Sequence, residues 1–514
     1  MIGATYRMIF SLLAFAEASL PLRSDEHLRK EQNMNDTLPK YRCPNLLLGG
    51  EWRPGRHAKR LKIHNPATGE VLDELSLAGV EDLQLALQTT QSAFETWRKV
   101  PAHERCARLE RGVARLRENT ERIATLLTLE QGKTLAEARA ECAMAADLIK
   151  WYAEEARRIY GRIIPARMPN SRMDVLKFPV GPVAAFSPWN FPLVLSARKI
   201  GGALAAGCSI MVKAAEETPA SVAAMVDCLN QELPPGVIQL IFGVPSEVSE
   251  ALIRSPIVRK VTFTGSVPVG RHLAQLAAQN LKRITLELGG HAPVIVCADA
   301  NLERTVNLMV QHKFRNAGQA CLAPTRFFVD KRIYGDFVEA FGVASSALRV
   351  GSGLEASTQM GPVASARRQS AVKGLIDQSV AMGARAVTGD APEQGSFVAP
   401  TLLADVPMEA PILTEEPFGP VACAMPFDNL DGAISMANAN PYGLAGYLFT
   451  DSAKAILSVS ERLEVGSLAI NGMAVSVPEA PFGGLKDSGY GSESGIEGME
   501  AFLDTKFTHY VACI

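Results

Sequence analysis

Cys321 closes the run Asn316-Ala-Gly-Gln-Ala-Cys321, and Glu287 opens the run Glu287-Leu-Gly-Gly290 further upstream. A soft nucleophile and a carboxylate, each beside glycines, are the parts needed for chemistry through a covalent thiol adduct with an acid–base partner. Taken alone, such a thiol is more often an inert core residue. Such a carboxylate is more often a solvated charge or half of an ion pair. The elements that position the two groups decide between these readings.

The chain has 514 residues, of which 47% are hydrophobic and 21% charged, ordinary values for a globular protein. That length predicts about two to four domains. A net charge of −2 leaves no basic footprint for nucleic acid. The nine cysteines are dispersed, with no CxxC or zinc-ribbon spacing, and HExxH does not occur, so no bound metal is expected. Dispersed free thiols fit a reducing compartment, and the expected location is cytoplasmic. No apolar run reaches the ~18 residues a membrane span needs. Residues 1–40 read as a polar, disordered extension. Arg7 precedes an apolar run over residues 8–16, and Ala16-Glu17-Ala18 imitates a signal-peptidase site, so an export or organelle signal is the alternative. Met34 is a candidate true start.

From Leu46 the pattern settles into elements. Residues 45–52 read as a short strand and turn. Residues 80–160 are helical, with Leu83, Leu87, Phe94 and Trp97 at helical spacing. Residues 161–180 are strand-like. Beyond them, short apolar strands over 183–186, 209–213, 237–242, 258–263 and 284–288 alternate with helices. A second alternating stretch starts at Ala292-Pro-Val-Ile-Val296 and runs past residue 450. Such alternation predicts parallel βαβ units and an α/β fold. There is no GxGxxG and no GxxxxGK[ST]; Gly265, Ser266 and Gly270 offer a strand end and a helix start where a phosphate could sit, a weak signal by itself.

Six motifs occur in order: Ser187-Pro-Trp-Asn-Phe-Pro192, Phe263-Thr-Gly-Ser266, Leu286-Glu-Leu-Gly-Gly290, Asn316-Ala-Gly-Gln-Ala-Cys321, Glu415-Glu-Pro-Phe-Gly-Pro420 and Pro481-Phe-Gly-Gly484. Together they resemble the NAD(P)-dependent aldehyde dehydrogenase superfamily. The resemblance implies a Rossmann-like cofactor domain over 41–161 and 181–288, and an α/β catalytic domain over 289–490. It also implies a small β oligomerisation arm from 162–180 and 491–514, in a homodimer or homotetramer. Cys321 then looks like the nucleophile, Asn190 the oxyanion ligand and Glu287 the base that activates water. Trp189, Gly265 and Ser266 would line the cofactor pyrophosphate, with Glu416 and Phe418 at the nicotinamide end. Lys213 and Glu216 would meet the adenosine ribose. A carboxylate there repels a 2′-phosphate, so NAD is expected over NADP. Ala214 departs from the family, which usually has proline there. Ala323 stands where some relatives carry a second cysteine, so no local disulfide switch is expected.

Three tunnel positions that are aromatic in relatives acting on simple aliphatic aldehydes are here Arg198, Arg315 and Ser476. Two guanidiniums and a hydroxyl suit a carboxylate. This set is similar to the succinate-semialdehyde dehydrogenase branch and implies a small-molecule semialdehyde acid oxidised to a dicarboxylate. The alternatives are a neutral aliphatic or aromatic aldehyde, with the arginines paired to local carboxylates, or a non-catalytic binding or structural descendant. Acyl transfer to coenzyme A is disfavoured by the presence of Glu287.

Overall fold

The computed structural model describes residues 41–512. The expectations for residues 1–40 lie outside the described residues. Among the described residues no helix is long and apolar enough to cross a membrane.

Two separate buried cores carry the fold. The first surrounds a sheet whose centre is five parallel strands, ordered Ile238–Ile241, Ile210–Lys213, Val183–Phe186, Lys260–Thr264 and Arg283–Glu287. Val183–Phe186, Ile210–Lys213 and Ile238–Ile241 are buried along their whole length. Burial on both faces is why Val183–Phe186 reads as a continuous apolar run and the other two as runs broken only by Gln239 and Lys213. The hairpin Leu46–Leu48 and Glu51–Arg53 closes one edge antiparallel, and Gly489–Tyr490 closes the other. Helices connect the parallel strands. Pro192–Ala206 starts on a proline and stops at Gly207, whose φ of 96° is left-handed. Pro219–Asn230 also begins on its proline, where no N–H is needed.

The second core surrounds a sheet ordered Arg385–Thr388, Thr401–Ala404, Val421–Phe427, Pro324–Asp330, Ala292–Val296, Ala445–Phe449 and Ser467–Ile470. All its pairings are parallel except the first, Arg385–Thr388 on Thr401–Ala404. A third, outer sheet joins Arg162–Ile164 and Ser171–Pro179 to Leu503–Val511, antiparallel throughout.

The C-terminal segment differs from the expected arm. The outer sheet takes it up only at Leu503, not at Gly491. Before that, Glu493 is ion-paired to Lys199, the Ser494 backbone N–H donates to the Tyr152 hydroxyl, and Met499 and Phe502 join the first core. The intervening residues are thus tied beneath the first sheet by a buried charge pair and apolar packing. Gly489–Tyr490, expected in the second unit, likewise belongs to the first sheet.

In open parallel sheets the strand C-termini hold the ligand sites. Glu287 is the last residue of its strand, Gly265 and Ser266 follow Lys260–Thr264, and Lys213 ends Ile210–Lys213. Trp189 and Asn190 follow Val183–Phe186. Cys321 comes from the second sheet, in the loop between the helix Leu302–Phe314 and the strand Pro324–Asp330.

Candidate active site

The loop that carries Cys321 is held in an uncommon backbone conformation. Asn316 and Ala317 both have φ of 51°, a left-handed value that non-glycine residues adopt only under constraint. The constraint on Asn316 is visible. Its backbone N–H donates to Glu137 Oε1 at 2.7 Å, and its Oδ1 accepts from Gln131 Nε2 at 2.8 Å. Its Nδ2 donates to the carbonyls of Asn190 (2.9 Å) and Gln319 (3.2 Å). The Asn190 carbonyl also accepts from the buried Lys133 ammonium at 2.8 Å, and Lys133 is in turn ion-paired to buried Glu141.

Glycines allow close backbone approach around the thiol loop. A Cβ at Gly290 would overlap the Cys321 carbonyl oxygen, and one at Gly318 would overlap that of Gly419. Gly290 donates its N–H to Glu416 Oε1 at 3.0 Å. Gly290 is therefore required by the backbone of the thiol loop, whereas a Cβ at Gly289 would meet the Glu416 carboxylate.

Cys321 and Asn190 stand where two cavities meet. On one side is a tunnel of about 110 Å³ lined by Arg198, Arg315 and Ser476 among mostly apolar walls that include Phe191, Val475 and Phe482. On the other is a groove of about 570 Å³ lined by Trp189, Gly265, Ser266, Glu416 and Phe418. The groove shares Pro188, Thr264, Gly265 and Pro268 with a further cavity of about 640 Å³ that reaches Lys213 and Glu216. The groove and this further cavity together offer the volume and the polar groups a dinucleotide needs. Ser266 lies at the start of the helix Val267–Ala278, where backbone N–H groups can meet phosphate. Trp189 and Phe418 pack edge to face at 5.6 Å along the groove. The Lys213 ammonium is 2.6 Å from Glu216 Oε2, and Glu216 Oε1 accepts from the Gly243 N–H at 2.9 Å.

Glu287 lines neither cavity. It is 1% exposed, and neither carboxyl oxygen has a hydrogen-bond partner among the described residues. Burial first, and the neighbouring Glu493 carboxylate second, hold its pKa well above the usual carboxylate range; Arg198 and Lys199 oppose the rise. The Cys321 thiol is pushed up to about 12 by burial, with Glu287 and Glu416 adding to the effect. The Asn190 side-chain amide donates to the Gln319 carbonyl at 3.1 Å.

The tunnel arginines have no carboxylate partner among the described residues, contrary to the alternative in which they pair locally. Arg198 donates from Nη2 to the Ser476 hydroxyl, while its buried Nε and Nη1 have no partner. Its guanidinium lies 4.3 Å from the Phe482 ring centroid, and that of Arg315 lies 5.0 Å from the Phe191 ring. Orphaned buried donors of this kind are costly unless a ligand meets them.

The aldehyde dehydrogenase family model matches residues 52–508. The chain belongs to that family. It is 83% identical over 472 residues to 4-(hydroxymethyl)benzenesulfonate dehydrogenase of Comamonas testosteroni, covering 92% of this chain and 99% of the relative. Succinate-semialdehyde dehydrogenase from Burkholderia pseudomallei superposes with a TM-score of 0.89 at 38% identity, over 91% of this chain and 98% of that one. Betaine aldehyde dehydrogenase of Staphylococcus aureus, solved with NAD+, superposes with a TM-score of 0.89 at 32% identity, over 94% and 97%. The chain is thus an oxidoreductase acting on an aldehyde with a nicotinamide dinucleotide, NAD(P).

Several groups around the thiol are silent in the sequence reading. Lys133, Glu141 and Asn316 hold the loop, and Lys199 and Glu493 sit behind Glu287. His312 lies on the tunnel wall, three residues before Arg315, and that helical spacing was the one available signal. Lys199 directly follows Arg198, but nothing in the sequence marks Glu493 as its partner.

Replacing Gly290 with Ala is expected to displace the Cys321 backbone. Thiol alkylation by iodoacetamide and NADH formation should both fall by roughly tenfold or more, the effect of misplacing a reacting atom by about 1 Å. Unchanged alkylation and turnover in that variant would show that the close approach is dispensable.

Proposed function

We propose that the chain oxidises aldehydes bearing an anionic group remote from the carbonyl, with NAD as hydride acceptor, through a covalent adduct on Cys321. The observation that carries this reading is Arg198, whose two unpartnered buried nitrogens sit in a tunnel that ends at the thiol. A neutral substrate would leave those donors and the nearby Arg315 uncompensated, at a cost of several kcal/mol for a buried charge. An anionic head group meets them with charge-assisted bonds.

The Cys321 sulfur attacks the aldehyde carbon and forms a thiohemiacetal. Its oxygen is held by the Asn190 amide and the Cys321 backbone N–H, donors whose effect is greatest where water is excluded. With the thiol at about 12, its proton leaves to water in the groove that Cys321 lines before attack, and Arg198 is the cation that favours the thiolate. The bound dinucleotide supplies the hydride acceptor. A thioester then remains on Cys321. Glu287 turns from behind the thiol to deprotonate the water that hydrolyses it, releasing the carboxylic acid. Its buried surroundings make it a stronger base than a solvated carboxylate.

The body of the substrate is read from the tunnel walls. Phe191 and Phe482 lie beneath the two guanidiniums, with Met144, Val194 and Met473 nearby. A flat apolar ring ending in an anion suits this lining, and one relative is named for 4-(hydroxymethyl)benzenesulfonate, a compound with a ring and a sulfonate. We therefore favour 4-formylbenzenesulfonate-type aldehydes. The semialdehyde acids expected from the sequence present the same kind of head, and relatives named for glutarate semialdehyde (40% identical) support them as the second reading. NAD is favoured over NADP because Glu216 neutralises Lys213 and keeps a carboxylate at the rim of the outer cavity. Exposed Ile163, Phe507 and Tyr510 on the outer sheet support its use in joining copies into a homodimer or homotetramer.

Replacing Arg315 with Met should lower kcat/KM for 4-formylbenzenesulfonate and for succinate semialdehyde by about tenfold to a hundredfold, with little change for benzaldehyde. Equal losses on charged and neutral aldehydes would remove the head-group reading. The Glu287 carboxylate forms only as pH rises through its elevated pKa, so hydrolysis should accelerate with pH. Glu287→Gln should leave the NADH burst while flattening that limb and slowing steady turnover about a hundredfold. A variant that keeps the wild-type pH profile would deny Glu287 the base role. Glu216→Ser should move the NADP-to-NAD ratio of kcat/KM up by roughly tenfold; an unmoved ratio places cofactor choice elsewhere.

A further inference from the structure

His312 shares the tunnel wall with Arg198 and Arg315. It stands near the end of the helix Leu302–Phe314, and its ring is buried. Nε2 lies 2.8 Å from the Tyr447 hydroxyl, and that hydroxyl donates to the Leu322 carbonyl, next to Cys321, at 2.7 Å. A phenol has one proton, and Tyr447 has committed it to Leu322. Nε2 must therefore carry the imidazole proton and donate it to the Tyr447 oxygen. Nδ1 is left with its lone pair, and no described residue bonds to it.

The groups around the ring favour its neutral form. Arg315 and Lys313 face it from its own segment, and Tyr447 packs edge to face at 5.4 Å from the strand Ala445–Phe449. Arg198 and Cys321 are the other ionisable groups lining the tunnel. Burial, then Arg315 and Lys313, push the imidazole down to about 4. A bound anion reverses the sign of that local field.

We propose that His312 is a third head-group ligand, in which an anion seated between Arg198 and Arg315 draws a proton from solvent onto His312 Nδ1, and Nδ1–H then donates to it. This rests on the anionic-aldehyde reading above. No bond other than N–H forms, and the proton comes from water or buffer. A sulfonate offers one oxygen to each of the three basic groups, whereas a carboxylate has only two to share. The ring also touches the thiol loop through Tyr447 and Leu322, so the head group and the reacting centre are fixed by one side chain.

The test is calorimetric titration of the full-length protein with 4-toluenesulfonate, an unreactive anion, between about pH 6 and about pH 8, the range in which imidazole linkage is read. Two buffers of different ionisation enthalpy report the protons exchanged. Wild type is expected to take up a proton on binding, with Kd tightening as pH falls, towards about tenfold per pH unit at full linkage. His312→Gln should still bind through the arginines, with a pH-independent Kd and no uptake; His312→Asn serves as a second variant if Gln disturbs Tyr447. Binding by wild type without uptake overturns the proposal. So does uptake that persists in both variants, which would assign the proton to another group such as Glu287. In either case the anionic-aldehyde reading survives. Absence of binding by wild type overturns that reading and this one together.

Discussion

The backbone carbonyl of Asn190 accepts hydrogen bonds from two directions, and the site depends on that junction. One donor is Lys133, a buried ammonium from the short link between the helices Thr120–Gln131 and Leu135–Glu155; the other is the Asn316 side chain from the thiol loop. Asn190 belongs to the first sheet and Cys321 to the second. Their relative position is therefore set by a charged, water-excluded contact rather than by either sheet alone. Hydrogen bonds to a charged donor are among the stronger ones, and a buried ammonium that loses its partners is severely penalised. The left-handed backbone at Asn316 and Ala317 is maintained by the same contacts.

Burial then does a second job. The region around the thiol holds Glu287, Glu493, Lys199, Arg198 and Cys321 with little water to screen them. In such surroundings each charge acts strongly on its neighbours. The Glu287 carboxyl is held protonated far more readily than in solution, and Glu493 adds to this even while paired to Lys199. Arg198 pulls both the thiol and the carboxyl the other way. One guanidinium is thus placed to bind a substrate anion and to bias the reacting groups.

Close backbone packing explains why the motifs are rich in glycine. Gly290 lies against the Cys321 carbonyl and Gly318 against Gly419, so a methyl group at either would displace the thiol loop. The tunnel and the dinucleotide-sized groove open on opposite sides of this contact, and Cys321 and Asn190 are the residues they share.

Much of this was readable from residue order. Short apolar runs bounded by turns marked the parallel strands; Val183–Phe186 and Ala292–Val296 lie where the sequence put them, because a strand buried on both faces needs no partner to declare itself. Pro192 and Gly207 bound the helix Pro192–Ala206 for equally local reasons. The thiol, the carboxylate, the amide and both tunnel arginines stood out by type and motif. What the sequence could not show was which charges lose their water. Lys133 with Glu141, Lys199 with Glu493, and His312 with Tyr447 are ordinary polar residues until the chain closes around them. Residues 491–514 were assigned to the outer sheet, yet only Leu503–Val511 joins it; the residues before Leu503 pack with the first core, because Glu493 and Phe502 find buried partners there. Local propensity is written in neighbouring residues, whereas desolvation is a property of everything that surrounds a group, and only the tertiary structure assembles those surroundings.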